Sequence, residues 1–267
     1  MRAFLLGGRR RGGDRLARAH GVSHKCRIPV GGVPMLERVL TTLEASPSVG
    51  ETWLCIDDPA VERLDAVARG RRCGWLRIVA PERGPSASVA RMWQELPQPG
   101  PVLVTTADHP LLEPRHLEHF LGLGLAGEAD VVAGIVHAEV VRARYPQAQR
   151  TFLKLGATQL TGANLFLLRT PRAARAVAFW REMETARKRP WRLAGRLGAG
   201  SMALYALGRL DLQSALARIS ARVGARAATV PLPFAECALD VDHPGHLALV
   251  EGILRERALR AAGGPPG

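Results

Sequence analysis

Short apolar runs and amphipathic stretches alternate through the first half of the chain. RAFLL (residues 2–6) is a buried-strand run closed by Gly7-Gly8. PMLERVLTTLEAS (34–46) then places Leu36, Val39, Leu40 and Leu43 at helical spacing, with Pro34 suited to the first turn. TWLCID (52–57), WLRIVA (75–80), PVLVTTAD (101–108) and ADVVAGIV (129–136) predict four further strands. Helical patterns fill the gaps: residues 59–70, 86–96 and 113–125. This alternation, at distances that suit βαβ crossovers, predicts a three-layer, Rossmann-like α/β fold. Its sheet is expected to be mostly parallel, with helices on both faces.

The pattern changes after residue 150. TFLKL (151–155) and ANLFLL (163–168) predict strands near the sheet edge. Residues 171–224 are predicted to be helical, an insertion into the α/β pattern. RAATVPLPF ends that region, ALDVDHP is a short strand or loop, and residues 245–262 form a last helix before AAGGPPG. With no internal repeat and no long linker, the expected organisation is one domain over 1–257, with a frayed tail at 258–267.

Composition narrows the class. The 267 residues are 47% hydrophobic and 23% charged, which suits a globular chain and excludes a disordered or collagenous one. No apolar run reaches membrane-span length and no signal-peptide h-region precedes the first charges, so a cytoplasmic location is expected. Cys26, Cys55, Cys73 and Cys237 have no metal-ligand spacing and are expected to be free thiols, mostly in the core.

Charge adds a partner class. The net charge of +13 is uneven: residues 1–30 carry +7, residues 169–226 carry +10, and the remainder is mildly acidic. Two basic blocks point to an anionic partner. Only Lys25, Lys154 and Lys188 are lysines, so an arginine-rich composition explains the residue type but not the clustering. The densest stretch of the second block, Arg187-Lys188-Arg189-Pro190-Trp191-Arg192, is either a solvated helical face or a contact for a small-molecule anion or an anionic membrane face. Aromatic residues are 5% and no nucleic-acid-binding signature is present, so no nucleic-acid partner is expected.

In a parallel sheet, ligands bind beyond the carboxyl ends of the strands. Gly7-Gly8, Gly84-Pro85 and Asp108 fall there. Leu6, Gly7 and Gly8, followed by Arg9, Arg10 and Arg11, offer bare backbone N–H groups beside clustered charge, a plausible triphosphate cradle. Lys25 adds a compact cation. The turn is neither a Walker A loop nor a dinucleotide fingerprint. Asp108 and one of Asp240 or Asp242 meet the needs of Mg²⁺, an ion held by oxygen donors and one or two carboxylates. For Asp108 the plainer alternative is a helix N-cap, and for Asp240 and Asp242 a solvated strand face. Asn164 precedes an apolar strand and reads as a turn former.

LLGG…HK…IPVGGVPML resembles the signature of the nucleotidyltransferases with a GT-A-type fold, in particular their MobA-like branch. Gly7, Gly8, Arg10 or Arg11, Lys25, Gly32 and Pro34 carry the match. Gly84-Pro85-Ser86-Ala87-Ser88 resembles the branch's GPLAG segment, which lies against the nucleoside. Asp108 in TTADHPLL resembles its metal-binding D-x-P motif, and LDVDHP (239–244) its second metal-side element. The match covers about residues 3–136 and 228–254. The loop from Gly8 to Lys25 is longer than usual, and His243 stands where Thr is common.

The resemblance implies a Mg²⁺-dependent nucleotidyltransferase that moves NMP from an NTP to a phosphorylated small-molecule or lipid-precursor acceptor and releases pyrophosphate. Lys25, Arg11 and Asp108 would be catalytic. Leu6, Gly7, Gly8, Arg9, Arg10, Lys25, Gly84, Pro85, Ser86 and Ser88 would hold the nucleotide, Asp108, Asp240 and Asp242 the metal, and Asn164 the acceptor. The alternatives are a GT-A-type glycosyltransferase, which normally carries a DxD where this chain has TADHP, and a basic nucleic-acid-binding module.

Overall fold

The computed structural model of the chain describes residues 1–9, 13–98, 100–186 and 198–262. The parallel strands β1 (Arg2–Leu6), β4 (Glu51–Cys55), β5 (Leu76–Val79) and β6 (Val102–Thr106) form one half of an eight-stranded sheet. β7 (Val131–His137), β8 (Leu153–Leu155), β9 (Thr158–Leu168) and β10 (Ala227–Pro231) form the other. The strand order is β10-β7-β9-β6-β1-β4-β5, with β8 paired to β9 outside this path. β9 runs antiparallel to both β6 and β7. A separate two-stranded hairpin joins β2 (Pro29–Val30) to β3 (Val33–Pro34). Its two-residue turn, Gly31-Gly32, has positive φ at both positions (56° and 76°), the conformation of a type I′ turn.

Side-chain alternation along β1 separates two cores. Ala3 and Leu5 pack with α2 (Met35–Ala45), α3 (Asp65–Arg72) and α5 (Pro114–Ala126) on one face. Phe4 faces the other side, with Trp53, Val89 and Met92 of α4 (Pro85–Gln94) and Val177 of α7 (Ala173–Ala186). The result is the expected three-layer, mostly parallel α/β fold.

Two local expectations are corrected, and two later segments are specified. Residues 59–70 do not form one helix: a 3-10 turn (Val61–Arg63) and α3 meet at Leu64, whose extended backbone (ψ 132°) separates them. The strand holding residues 163–168 begins at Thr158 and lies inside the sheet, not near its edge. The edge is β10, built from the AATVP of RAATVPLPF, whose proline at the strand end is compatible with an edge position. ALDVDHP takes the loop alternative of the sequence reading: Ala238 ends a 3-10 turn and Pro244 opens α10 (Pro244–Ala262).

Three further helices are short: α1 (Arg15–Ala19), α6 (Ala138–Arg144) and α8 (Ala199–Ala206). Asp14 caps α1 by accepting from the amides of Leu16 and Ala17. α9 (Leu212–Val223) is capped by Asp211 and ended by Gly224 with φ 68°. The predicted stretch 187–192 and the last tail residues lie outside the described residues.

Several arginines of the second basic block bind within the fold. Arg169 donates to the carbonyl of Ala129 (2.5 Å), Arg175 to that of Gly224 (2.9 Å), and Arg226 pairs with Glu128 (2.9 Å). Among the described residues no helix is long and apolar enough to cross a membrane. Cys26, Cys55 and Cys237 are buried and Cys73 is exposed.

Candidate active site

β1, β4, β5 and β6 run parallel, so their C-terminal ends lie along one edge of the sheet. Gly7-Gly8 follows β1 there. The Gly7 amide donates to the carbonyl of Cys55 at 2.9 Å, and a Cβ on Gly7 would sit 3.3 Å from Ile56 and 3.6 Å from the Cys26 sulfur. Only glycine fits this approach without displacing a neighbour. Gly8 is exposed and lies against Pro81, the residue a Cβ would meet at 3.3 Å.

Lys25 opens a 3-10 turn (Lys25–Arg27) that buries Cys26. Its Nζ lies 2.7 Å from Asp108 Oδ2 and 2.6 Å from Asp242 Oδ1. Burial disfavours the ammonium, but the two carboxylates outweigh it and hold its pKa above the ordinary lysine value. Lys25 is therefore a permanent cation.

Asp108 follows β6, and Asp240 and Asp242 lie in the segment between the 3-10 turn (Ala235–Ala238) and α10. The amide of Val241 donates to the carbonyl of Asp108 at 3.0 Å and joins the two segments. One oxygen from each of the three carboxylates lies within 4.8 Å of the others. Asp108 Oδ1 is buried with no hydrogen-bond partner among the described residues. An all-oxygen donor set with one such orphan fits a divalent cation of the Mg²⁺ type.

The two later carboxylates differ. Asp240 is buried and pairs with Arg150 at 2.5 Å, whereas Asp242 is exposed and reaches Lys25. His109 is fully buried, hydrogen-bonded through Nε2 to the carbonyl of Cys237 (3.0 Å), and burial lowers its pKa. His246 accepts from the Asp242 amide at 3.4 Å through Nδ1 and donates from Nε2 to the carbonyl of Gln149 at 2.9 Å. Its ring packs on His243, with centroids 3.6 Å apart.

The remaining candidates separate along the same edge. Arg9 pairs with Asp57 at 3.3 Å; Arg10 and Arg11 lie outside the described residues. Gly84 caps α4, Pro85 is its first residue, and Ser88 bonds both the Glu82 amide (2.8 Å) and the Gly84 carbonyl (3.1 Å). Ser86 is buried and bonds Glu184. Leu6 closes β1, with its carbonyl accepting from the Ala107 amide at 3.0 Å. Asn164 lies at an irregularity in the β7–β9 pairing and is the only non-glycine residue with positive φ (52°) among the described residues. Such a conformation is strained outside functional or turn positions.

Sequence reasoning missed a second polar cluster. His24 Nε2 lies 2.7 Å from Asp57, and Arg27 pairs with Asp58 at 3.0 Å. Burial works against Asp57, yet His24 and Arg9 keep its carboxyl below the ordinary carboxylate range. This cluster anchors the turn that carries Lys25 to the end of β4. The signal was available, since Asp57-Asp58 ends a predicted strand as Asp108 does. Arg150 and Glu184 carried no such signal.

Solved structures share the fold of this chain. The chain of a hypothetical transferase from Thermus thermophilus is 29% identical, covers 92% of this chain and 98% of its own, and superposes with a TM-score of 0.76. A CMP-2-keto-3-deoxy-manno-octonic acid synthetase complexed with CTP shares the fold (15% identity, TM-score 0.55, 96% of this chain and 100% of that one). So does a 4-diphosphocytidyl-2C-methyl-D-erythritol synthase from Anaerococcus prevotii (11%, TM-score 0.56, 96% and 98%). No curated protein sequence matches the chain significantly. The family model described as the MobA-like NTP transferase domain matches residues 5–229, and this chain belongs to that family, although Asp240 and Asp242 lie beyond the matched span.

Proposed function

We propose that the protein is a Mg²⁺-dependent nucleotidyltransferase that moves NMP from an NTP onto a phosphorylated small-molecule or lipid-precursor acceptor. The observation that carries this reading is the convergence of Lys25, Asp108, Asp240 and Asp242 beside the Gly7-Gly8 turn. An acceptor phosphate oxygen attacks the α-phosphorus, the bond to the bridging oxygen breaks, and its electron pair leaves on pyrophosphate. The acceptor oxygen is already anionic, so no general base is needed. The protein has to bring two anions together and neutralise their charge.

Gly8, exposed at the end of β1, offers its amide to phosphate oxygens while the Gly7 amide stays bonded to the Cys55 carbonyl, and Lys25 follows the charge that grows on the leaving pyrophosphate. Asp108 and Asp242, which both pair with Lys25, would hold Mg²⁺ together with Asp240, which Arg150 fixes. The ion supplies neutralisation of phosphate charge when bound. Asn164, at its irregular position on β9, is assigned to the acceptor side. We further read 1–257 as one catalytic domain.

The test is a pyrophosphate-release screen of four NTPs with Mg²⁺ against sugar, polyol and amino-alcohol phosphates. Release that depends on both NTP and acceptor supports the reading. Turnover of an NDP-sugar with no NTP reaction would replace it with glycosyl transfer.

A further inference from the structure

Glu184 of α7 rests on Gly84–Ser88, the segment whose resemblance to the MobA-like branch implies contact with the nucleoside. Its Oε2 accepts from the Ser86 hydroxyl at 2.5 Å and from the Ser86 amide at 3.3 Å. Its Oε1 accepts no hydrogen bond among the described residues, and a Cβ on Gly84 would fall 2.3 Å from it. Ser86 is buried and fixes one carboxylate oxygen, and the bare Gly84 leaves room for the other.

The sheet order sets the position of this carboxylate. From Asp108 the edge passes from β6 to β1 with Gly7-Gly8, then to β4 with Asp57, then to β5 and the loop that opens α4. Pro81 of that loop adjoins Gly8. Three strand spacings separate β6 from β5, about 14 Å. A nucleotide whose phosphates lie between Asp108 and Gly8 therefore extends its base toward Gly84 and Glu184. The opposite direction leads to β9 and Asn164, the acceptor side.

We propose that Glu184 is a specificity-determining residue that selects a nucleobase carrying an exocyclic amino group. This inference rests on the nucleotidyltransferase reading. An ionised carboxylate only accepts hydrogen bonds, so it is satisfied by an amino N–H and repelled by a carbonyl oxygen at the same place. A site built on such a contact rejects the analogue that lacks the donor, because a polar group is then left unpaired. Ser86 serves as the positioning residue for the carboxylate. The competing role is a side-chain cap that completes the N-terminus of α4 and touches no ligand.

The experiment measures equilibrium binding of CTP, UTP, ATP, GTP and ITP with Mg²⁺ to the wild type, Glu184→Gln and Gly84→Ala. CTP and UTP differ as amino against carbonyl, as do ATP and ITP, while GTP and ITP differ by the 2-amino group. The wild type is expected to favour the amino member of at least one pair by about tenfold or more, the scale of one charged hydrogen bond. Glu184→Gln, which supplies a donor as well as an acceptor, should collapse that ratio. Gly84→Ala should collapse it too, because its Cβ displaces the carboxylate at its flexible end. A capping role predicts a lowered melting temperature with an unchanged ratio, and that result overturns the inference. A uniform gain of affinity for all five nucleotides in Glu184→Gln also overturns it, since the carboxylate would then be a plug. Failure of every nucleotide to bind removes the proposed function itself, and the inference with it.

Discussion

The Val241 amide and the Asp108 carbonyl share a 3.0 Å hydrogen bond directly at the carboxylate cluster. It couples the end of a central strand to a segment with no regular secondary structure. The carboxylate of Asp242 thereby keeps its place beside Asp108 although it is exposed.

Asp108→Asn should lower the rate of pyrophosphate release by about a hundredfold or more, as loss of a principal charge stabiliser does. Its melting temperature in metal-free buffer should stay close to that of the wild type. Asp242→Asn should behave alike. Near-normal turnover of Asp108→Asn would remove it from the metal set.

Asp240→Asn should separate from that pair in stability. Asp240 and Arg150 are both nearly buried, and removing one partner leaves the other charge without compensation. The expected loss is about 3 kcal/mol, read by urea denaturation at neutral pH. A variant as stable as the wild type would mean that water compensates Arg150.

Lys25→Met should reduce kcat more than it raises KM, because its charge is needed most as pyrophosphate leaves. The variant also brings Asp108 and Asp242 together without their shared cation, so Mg²⁺ should raise its melting temperature more than that of the wild type. The raised pKa fixes the sign of the pH response. The stabilisation from this pairing is complete below the ordinary lysine value of 10.5 and is lost only as pH rises through a still higher value. No basic limb from Lys25 should therefore enter the pH–rate profile in the neutral range. A pure KM effect would confine Lys25 to ground-state binding.

His116 predicts an acid sensitivity remote from the cluster. It is fully buried, its Nδ1 accepts from the Glu113 amide at 3.1 Å, and its pKa falls to about 4, chiefly from burial and then from Arg115. The unfolded chain binds the proton near 6.5, so between those values it holds more protons than the native state. Stability is thus full above about pH 6.5 and declines toward pH 4 by up to about 3 kcal/mol. His116→Gln keeps the reach back to the helix cap and removes the titration. Denaturation curves at pH 7 and pH 5 should converge in that variant. An unchanged pH dependence would place the sensitivity elsewhere.

The parallel half of the sheet was legible because each strand there is a short apolar run with a helix after it. The order of the second half was not. Whether 163–168 lies at an edge or between β6 and β7 depends on pairings between residues far apart in sequence, such as Val104 with Phe166. β10 was missed because AATVP is short, half-buried and ends in proline. In the site, Gly7, Gly8, Lys25 and the three aspartates were marked by their motifs. Glu184 and Arg150 were invisible, since a single charged residue in a helix or loop has no pattern until folding supplies its partner.

The last segment of the chain adds carboxylates to the cluster and side chains to the core at once. A chain ending at Pro231 would already hold every strand of the sheet, with Gly7, Gly8, Lys25 and Asp108 among its residues. It would lack Asp240, Asp242 and the Val241 amide that bonds to the Asp108 carbonyl. Lys25 would then have one carboxylate partner in place of two. The same segment is also core: Leu239 and Val241, with Leu247, Val250 and Ile253 of α10, pack with Leu16, Ile28 and Met35, so the carboxylate cluster and this part of the hydrophobic core are completed by one stretch of chain.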